Sequence, residues 1–150
     1  SVLDLGCSPG SWMQYAAERV GPGGRVLGFD LKPVEISLPA HAEAYVGDAF
    51  EIREDMLRAF DVVLSDMAPA TSGDKKTDSL RSSVLVEHTL DVADAHLKPG
   101  GAVVAKVFEG GEVPGLVRRM QKAYAKVIRA RPDATRKRSP EIFLVGLGKR

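Results

Sequence analysis

The 150 residues hold only one cysteine, one tryptophan and three histidines. With Cys7 alone, a disulfide framework and the multi-cysteine zinc patterns are excluded. No metal is expected, and a reducing, cytoplasmic setting is. Aromatics make up 6% of the chain, which leaves little for stacking on bases. No apolar run approaches the ~18 residues that a membrane helix needs, so no membrane partner is expected. Repeats, low-complexity tracts and linkers are absent, and the length suits one domain with a real core. The opening SVLDLG already lies inside an apolar run and lacks the basic start of a signal peptide. It reads as a domain (residues 1–150) without the segment that would precede its first strand.

Acid is scarce at the C-terminal end. Residues 118–150 hold 11 Lys+Arg against 2 Asp+Glu, a net +9, while residues 1–117 carry a net −8. An acidic body with a basic end suits a polyanion as partner, although a solvated helix and strand could carry the same charges.

What is present is a run of short apolar segments rich in Val, Ile, Leu and Phe. Seven read as strands: 1–5, 25–30, 42–48, 60–66, 101–108, 124–130 and 141–148. Helical stretches fall at 11–20, about 51–58, about 79–97 and 113–123. The longest spaces Leu80, Val84, Leu85, Leu90, Val92 and Leu97 at helical intervals, and KPGG is expected to stop it. Strand alternating with helix implies an α/β fold, a mostly parallel sheet with helices on both faces. Between the last two strands RPDATRKRSP is too short for a helical crossover, so that pair is expected to be antiparallel.

Ligands of such sheets bind beyond the carboxyl ends of the strands. After strand one, DLGCSPGSW sets Gly6 and Gly10 around a small-residue turn, and the helix start beyond it offers free N–H groups to an anion. The dinucleotide fingerprint G-x-G-x-x-G fails, because three residues separate the glycines. A carboxylate, such as the methionine end of S-adenosylmethionine, suits this wider loop better. Asp30, twenty residues on, could accept from paired ribose hydroxyls, and Asp48 from an adenine amino group. Each acid alone could be a cap or turn former; three of them (Asp30, Asp48, Asp66) closing successive strands point to an adenosine-type pocket. Cys7 reads as a loop filler, and His41, His88 and His96 as loop or helix-surface residues.

Lys106 stands inside the apolar strand GAVVAKVFEGG, where a charge is costly unless paired. Against the reading that it snorkels from an edge, its place near the strand's carboxyl end suits a general base partnered by Asp66, given a further cation to offset that acid. Glu141, opening the last strand, reaches the same rim or merely blunts an edge.

Taken together, DLGCSPGSW, FDLKP, SDMAP, KVFEG and RSPEIFLVG resemble the successive signatures of the FtsJ (RrmJ) family of S-adenosylmethionine-dependent RNA 2′-O-ribose methyltransferases. The pattern is nearest its bacterial branch, which acts on 23S ribosomal RNA. The resemblance implies a class I methyltransferase fold of seven strands with the last antiparallel, and S-adenosyl-L-methionine as cofactor. It implies that Gly10, Trp12, Asp30, Asp48 and Asp66 contact that cofactor. Asp66, Lys106 and Glu141 match three members of the family's K-D-K-E tetrad, with Lys106 as proton acceptor. The tetrad's first lysine lies ahead of the first strand, in the helical segment this chain is expected to lack.

A ribose 2′-hydroxyl, in a 23S uridine of the large subunit, would then displace the sulfonium methyl in line. Ribosomal RNA or the large subunit would be gripped through residues 118–138: Arg118, Arg119, Lys122, Lys126, Arg129, Arg131, Arg136, Lys137 and Arg138, opposed only by Asp133. Lys75 and Lys76, in the loop after SDMAP, could add to that grip. A monomer is expected. The rival readings are methylation of tRNA or a small molecule, and a non-catalytic RNA-binding homologue. An amino-directed methyltransferase is disfavoured because DMAP replaces its Asn/Asp-Pro-Pro-aromatic loop.

Overall fold

Seven strands form one sheet in the computed structural model, which describes residues 1–131 and 139–150. The strands are β1 (Val2–Leu5), β2 (Val26–Asp30), β3 (Ala42–Val46), β4 (Phe60–Ser65), β5 (Leu97–Phe108), β6 (Tyr124–Ala130) and β7 (Glu141–Lys149). Their order is β3-β2-β1-β4-β5-β7-β6. β1 to β5 run parallel to one another, and β7 lies antiparallel between β5 and β6. The α/β architecture with an antiparallel last strand is the one the sequence implied.

Two cores lie on opposite faces of this sheet because β1 alternates its side chains between them. Leu3 and Leu5 join Phe29, Val63, Val103 and Val107 under α2 (Lys75–His96) and α3 (Val113–Ala123). Val2 and Val26 join Met13, Ala16 and Ala17 of α1 (Ser11–Val20) on the other face. The spacing of those three α1 residues makes one helical stripe, while Gln14, Tyr15 and Glu18 face solvent. Burial of each large apolar side chain contributes about 1.5–3 kcal/mol against the ordering entropy.

Three elements differ from the sequence expectation. The helix sought at 51–58 is instead two separate 3₁₀ turns, Ala49–Glu51 and Glu54–Met56. α2 starts at Lys75 rather than 79, so Lys75 and Lys76 belong to its first turn and not to a loop. KPGG is no helix stop: α2 ends at His96, and Leu97 enters β5 directly, opposite Phe60, with the register shifting between Phe60 and Val62. The α2 face is also turned. Leu80 and Val84 are exposed, whereas Ser79, Ser82 and Ser83 are buried. Two of them hold the end of β5 and the segment after it: Phe108 N–H donates to Ser82 Oγ at 2.9 Å, and Ser79 Oγ donates to Glu112 at 3.0 Å, while Ser83 Oγ donates to the Leu80 carbonyl of its own helix.

Candidate active site

The carboxyl ends of the parallel strands bring the chemistry to one row. Leu5, Ser65, Ala105 and Leu144 stand side by side in register across β1, β4, β5 and β7. One residue further on, Gly6, Asp66, Lys106 and Phe143 form the next row on the opposite face, with Asp30 flanking it from the end of β2. The sheet register itself therefore delivers Lys106 to Asp66. Lys106 Nζ lies 3.1 Å from Asp66 Oδ1 and 3.8 Å from Glu141 Oε1, and its side chain is only 12% exposed. All three expected catalytic side chains meet.

Each of the two carboxylates that pair with this lysine lines a separate cleft. The first, about 210 Å³, is lined by Gly6, Ser8, Asp30, Asp48, Phe50 and Asp66 among others. The second, about 550 Å³, includes Lys75, Asp78, Phe108, Glu109, Arg131 and Glu141 in its wall. Asp66 lines the first and Glu141 the second, and Lys106, which lines neither, pairs with both.

The first cleft tests the adenosyl expectation. Gly6 adopts φ +77, and a Cβ there would stand 2.9 Å from the Met67 backbone nitrogen, so only glycine permits this turn. Asp30 pins both flanking turns, accepting from Ser8 N–H at 2.8 Å and Lys32 N–H at 2.9 Å. Each carboxylate oxygen keeps a further lone pair for hydroxyl donors. Asp48 Oδ1 caps the first 3₁₀ turn through Phe50 N–H at 2.9 Å, which leaves Oδ2 for an amino donor. Phe29, Leu31, Phe50 and Leu85 supply apolar wall. Acceptors for a ribose diol and an amino group beside apolar surface fit an adenosine moiety. Gly10 and Trp12 do not line this cleft. Gly10, at φ +125, is packed against Val34 and Ile36, and the Trp12 ring lies 5.5 Å from that of Phe143, beside Lys106.

Other groups here escaped the sequence reading. Phe50 is stacked on His88 at 4.0 Å between ring centres, and His88 Nε2 is 2.7 Å from the Ala49 carbonyl, so that histidine braces the pocket wall. His41 similarly reaches the Ala17 carbonyl at 2.8 Å, and His96 pairs with Glu54 at 3.1 Å. Cys7 is buried against Gly28 as a filler, and burial first, then Asp4 and Asp30, push its thiol up to about 12.

Asp4 is the larger surprise. It is fully buried beneath the glycine loop, and burial, then Asp66 and Asp30, push it up to about 8. Its signal was in plain view: an acid at an inward position of a buried strand. The folded state holds this proton well above the unfolded carboxyl value of 3.8, so folding binds a proton across the window between them. Stability is therefore expected to fall by a few kcal/mol as pH rises from about 4 to about 8, and to level off above. Denaturant unfolding of Asp4→Asn against the parent at pH 5 and pH 9 checks this; the variant should lack that part of the decline.

The basic end is more occupied than its charge count suggested. Arg119 pairs with Asp91 at 2.6 Å and Asp94 at 3.0 Å, while Arg129 and Arg131 both pair with Glu109. Arg118, Lys122 and Lys126 are exposed and make no ion pair among the described residues. Asp133, Arg136, Lys137 and Arg138 lie outside the described residues. Among those described, no cluster of ligating side chains could hold a metal, and no helix is long and apolar enough to cross a membrane.

Comparison with known proteins agrees with this geometry. The family model of FtsJ-like methyltransferases matches residues 1–149. The chain is 46% identical over 153 residues to ribosomal RNA large subunit methyltransferase E of Desulfatibacillum aliphaticivorans, covering 99% of this chain and 74% of that protein. It is 47% identical to the protein of the same name from Bdellovibrio bacteriovorus, covering 99% and 79%. A candidate ribosomal RNA methyltransferase of Plasmodium falciparum superposes with a TM-score of 0.82 at 23% identity, over 99% of this chain and 85% of that one. Human methyltransferase-like protein 13, solved with S-adenosylhomocysteine, shares the fold at a TM-score of 0.70 and 12% identity, over 97% and 70%. A sheet that sets an acid-paired lysine beside an adenosyl-type pocket, and a family match over nearly every residue, lead to one conclusion: the chain belongs to the FtsJ-like methyltransferase family and is an S-adenosylmethionine-dependent methyltransferase.

Proposed function

We propose that this enzyme methylates a ribose 2′-hydroxyl of large-subunit ribosomal RNA, with Lys106 as the general base. The observation that carries the reading is the position of Lys106 Nζ between Asp66 of one cleft and Glu141 of the other. S-adenosylmethionine, when bound, supplies a sulfonium methyl group that an oxygen nucleophile displaces in line. Asp30 and Asp48 would hold its ribose and adenine, and the Gly6–Ser8 turn its methionine end. The second cleft takes the target nucleotide. Lys106, held against Glu141 of that cleft, accepts the hydroxyl proton. Asp66 aims the lysine, and Glu141 accepts from the ribose or steadies Lys106. Apolar Phe108 and Phe143 beside the row keep bulk water from competing for the proton.

The nucleotide phosphates fall to Lys75 at the cleft wall, and further RNA backbone to Arg118, Lys122 and Lys126. Gly10 and Trp12 support the donor loop and the wall beside Lys106. The named substrate of the relatives at 46–47% identity favours ribosomal RNA over tRNA or a small molecule. The matching site is a uridine of the 23S molecule, reached by a cytoplasmic monomer. The test is transfer of labelled methyl to unmethylated large-subunit particles, followed by nuclease mapping. Label on one ribose 2′-oxygen is expected; label on a base, or transfer only to tRNA, defeats the reading.

A further inference from the structure

Asp4 has no task in the reaction just described, yet it occupies the most protected position under the site. It stands in register with Gly28 of β2 and Leu64 of β4, one pleat below Gly6 and on the same face as Asp30 and Asp66. Its exposure is 0%, and neither carboxylate oxygen has a hydrogen-bond partner among the described residues. Each element around it has been accounted for. The loop contributes Cys7, α1 contributes Met13 with Ala16 and Ala17, β2 ends in Asp30, and β4 ends in Asp66. From β5, Lys106 is spent on Asp66 and Glu141.

Asp30 and Asp66 thus line the pocket, and Asp4 lies buried one pleat beneath it. Asp30 is stabilised by two backbone N–H groups and Asp66 by Lys106, but Asp4 by nothing. An unpaired buried carboxylate facing two like charges is costly, and such a group keeps its proton. The balance changes if a cation is set above the floor. S-adenosylmethionine carries a sulfonium and an ammonium against one carboxylate, a net positive charge.

We propose that Asp4 is a positioning residue for the methyl donor, protonated while the pocket is empty and ionised, as a buried counter-charge, once the cationic donor is seated. The O–H bond of Asp4 breaks, its electron pair stays on the carboxylate, and the proton passes to solvent; no other bond changes. Donor binding is then linked to release of a proton. The inference rests on the donor occupying the cleft between Asp30 and Asp66.

Calorimetric titration of S-adenosylmethionine into the chain at pH 7, in two buffers of different ionisation enthalpy, tests it. Close to one proton per donor bound is expected, about 0.9 for a group that titrates near 8 in the free protein and is fully ionised in the complex. Donor affinity should rise with pH below 8, by up to about tenfold per unit, and level above. Asp4→Asn should bind more weakly, release no proton through this group and lose that pH dependence. Binding to the parent without proton release, or equal release from Asp4→Asn, overturns the proposal. No donor binding by the folded parent at all would instead remove the cofactor-cleft assignment on which it rests. Should the variant fail to fold, infrared difference spectra of the parent decide. The carbonyl band of a protonated carboxyl should vanish on adding donor, and its persistence refutes the idea.

Discussion

Lys106→Ala should reduce methyl transfer by at least about 10³-fold while leaving donor affinity within a few-fold of the parent. General-base catalysis contributes roughly 10²–10⁴-fold, and alanine also removes the ion pairs that align Asp66 and Glu141. Alanine alone does not separate a base from a positive charge that merely organises the rim. Lys106→Arg does. A guanidinium keeps the charge and can reach both carboxylates, but it does not surrender its proton in a protein. If the lysine acts as base, arginine is as inactive as alanine; if it acts only as a cation, arginine retains much of the rate. Single-turnover rates with saturating donor, alongside donor affinity by calorimetry, make the comparison. An active arginine variant would move the proton acceptor elsewhere, with Glu141 the next candidate in reach.

The sheet was legible because its strands are short apolar runs punctuated by Gly, Pro and Asp, and because a connection too short for a crossover forces antiparallel pairing. α2 was harder to read for a physical reason. Its C-terminal half buries Val86, Leu90 and Val92 as hydrophobic spacing implies, but its N-terminal half buries Ser79, Ser82 and Ser83, so the same spacing pointed there to Leu80 and Val84, which face outward. Ser79 and Ser82 are held there through hydrogen bonds to the end of β5 and the segment after it, information that lies in tertiary structure. At KPGG the turn-forming residues were read locally, whereas pairing of Leu97 with Phe60 extends β5 through them.

The site was legible where one strand end carried one acid. Asp30, Asp48, Asp66, Lys106 and Glu141 are all at the rim, because residue parity and strand ends fix side-chain direction. Gly10 and Trp12 were harder to interpret: motif position does not say whether a residue touches a ligand or holds the loop that does. Gly10 leaves no room between itself and Val34 and Ile36, and Trp12 reaches across to Phe143. The basic end misled in magnitude. Composition counts Arg119, Arg129 and Arg131 as free charge, while the fold pairs each with acids distant in sequence.

Asp30→Ala should weaken donor binding by about 10²–10³-fold and leave the Lys106 pairing in place. Two losses combine. Removing the carboxylate deletes the acceptors for the ribose hydroxyls, each charge-assisted hydrogen bond contributing about 1.5–3 kcal/mol. It also frees the Ser8 and Lys32 N–H groups that fix the turns on either side of the pocket. Asp30→Asn separates these. Its amide oxygen can still accept from one of the two N–H groups, so the loop keeps part of its anchorage while the charge facing the diol is gone. Affinity for S-adenosylhomocysteine, which has the same ribose, should fall in parallel with that for S-adenosylmethionine, because the lost contacts do not involve the sulfonium. At saturating donor the transfer rate should recover most of the parental value, since Asp30 stands three strands away from Lys106. A rate that stays depressed at saturation, with affinity unchanged, would mean that Asp30 acts on the chemistry rather than on the ribose, and the division of labour along this row would have to be redrawn.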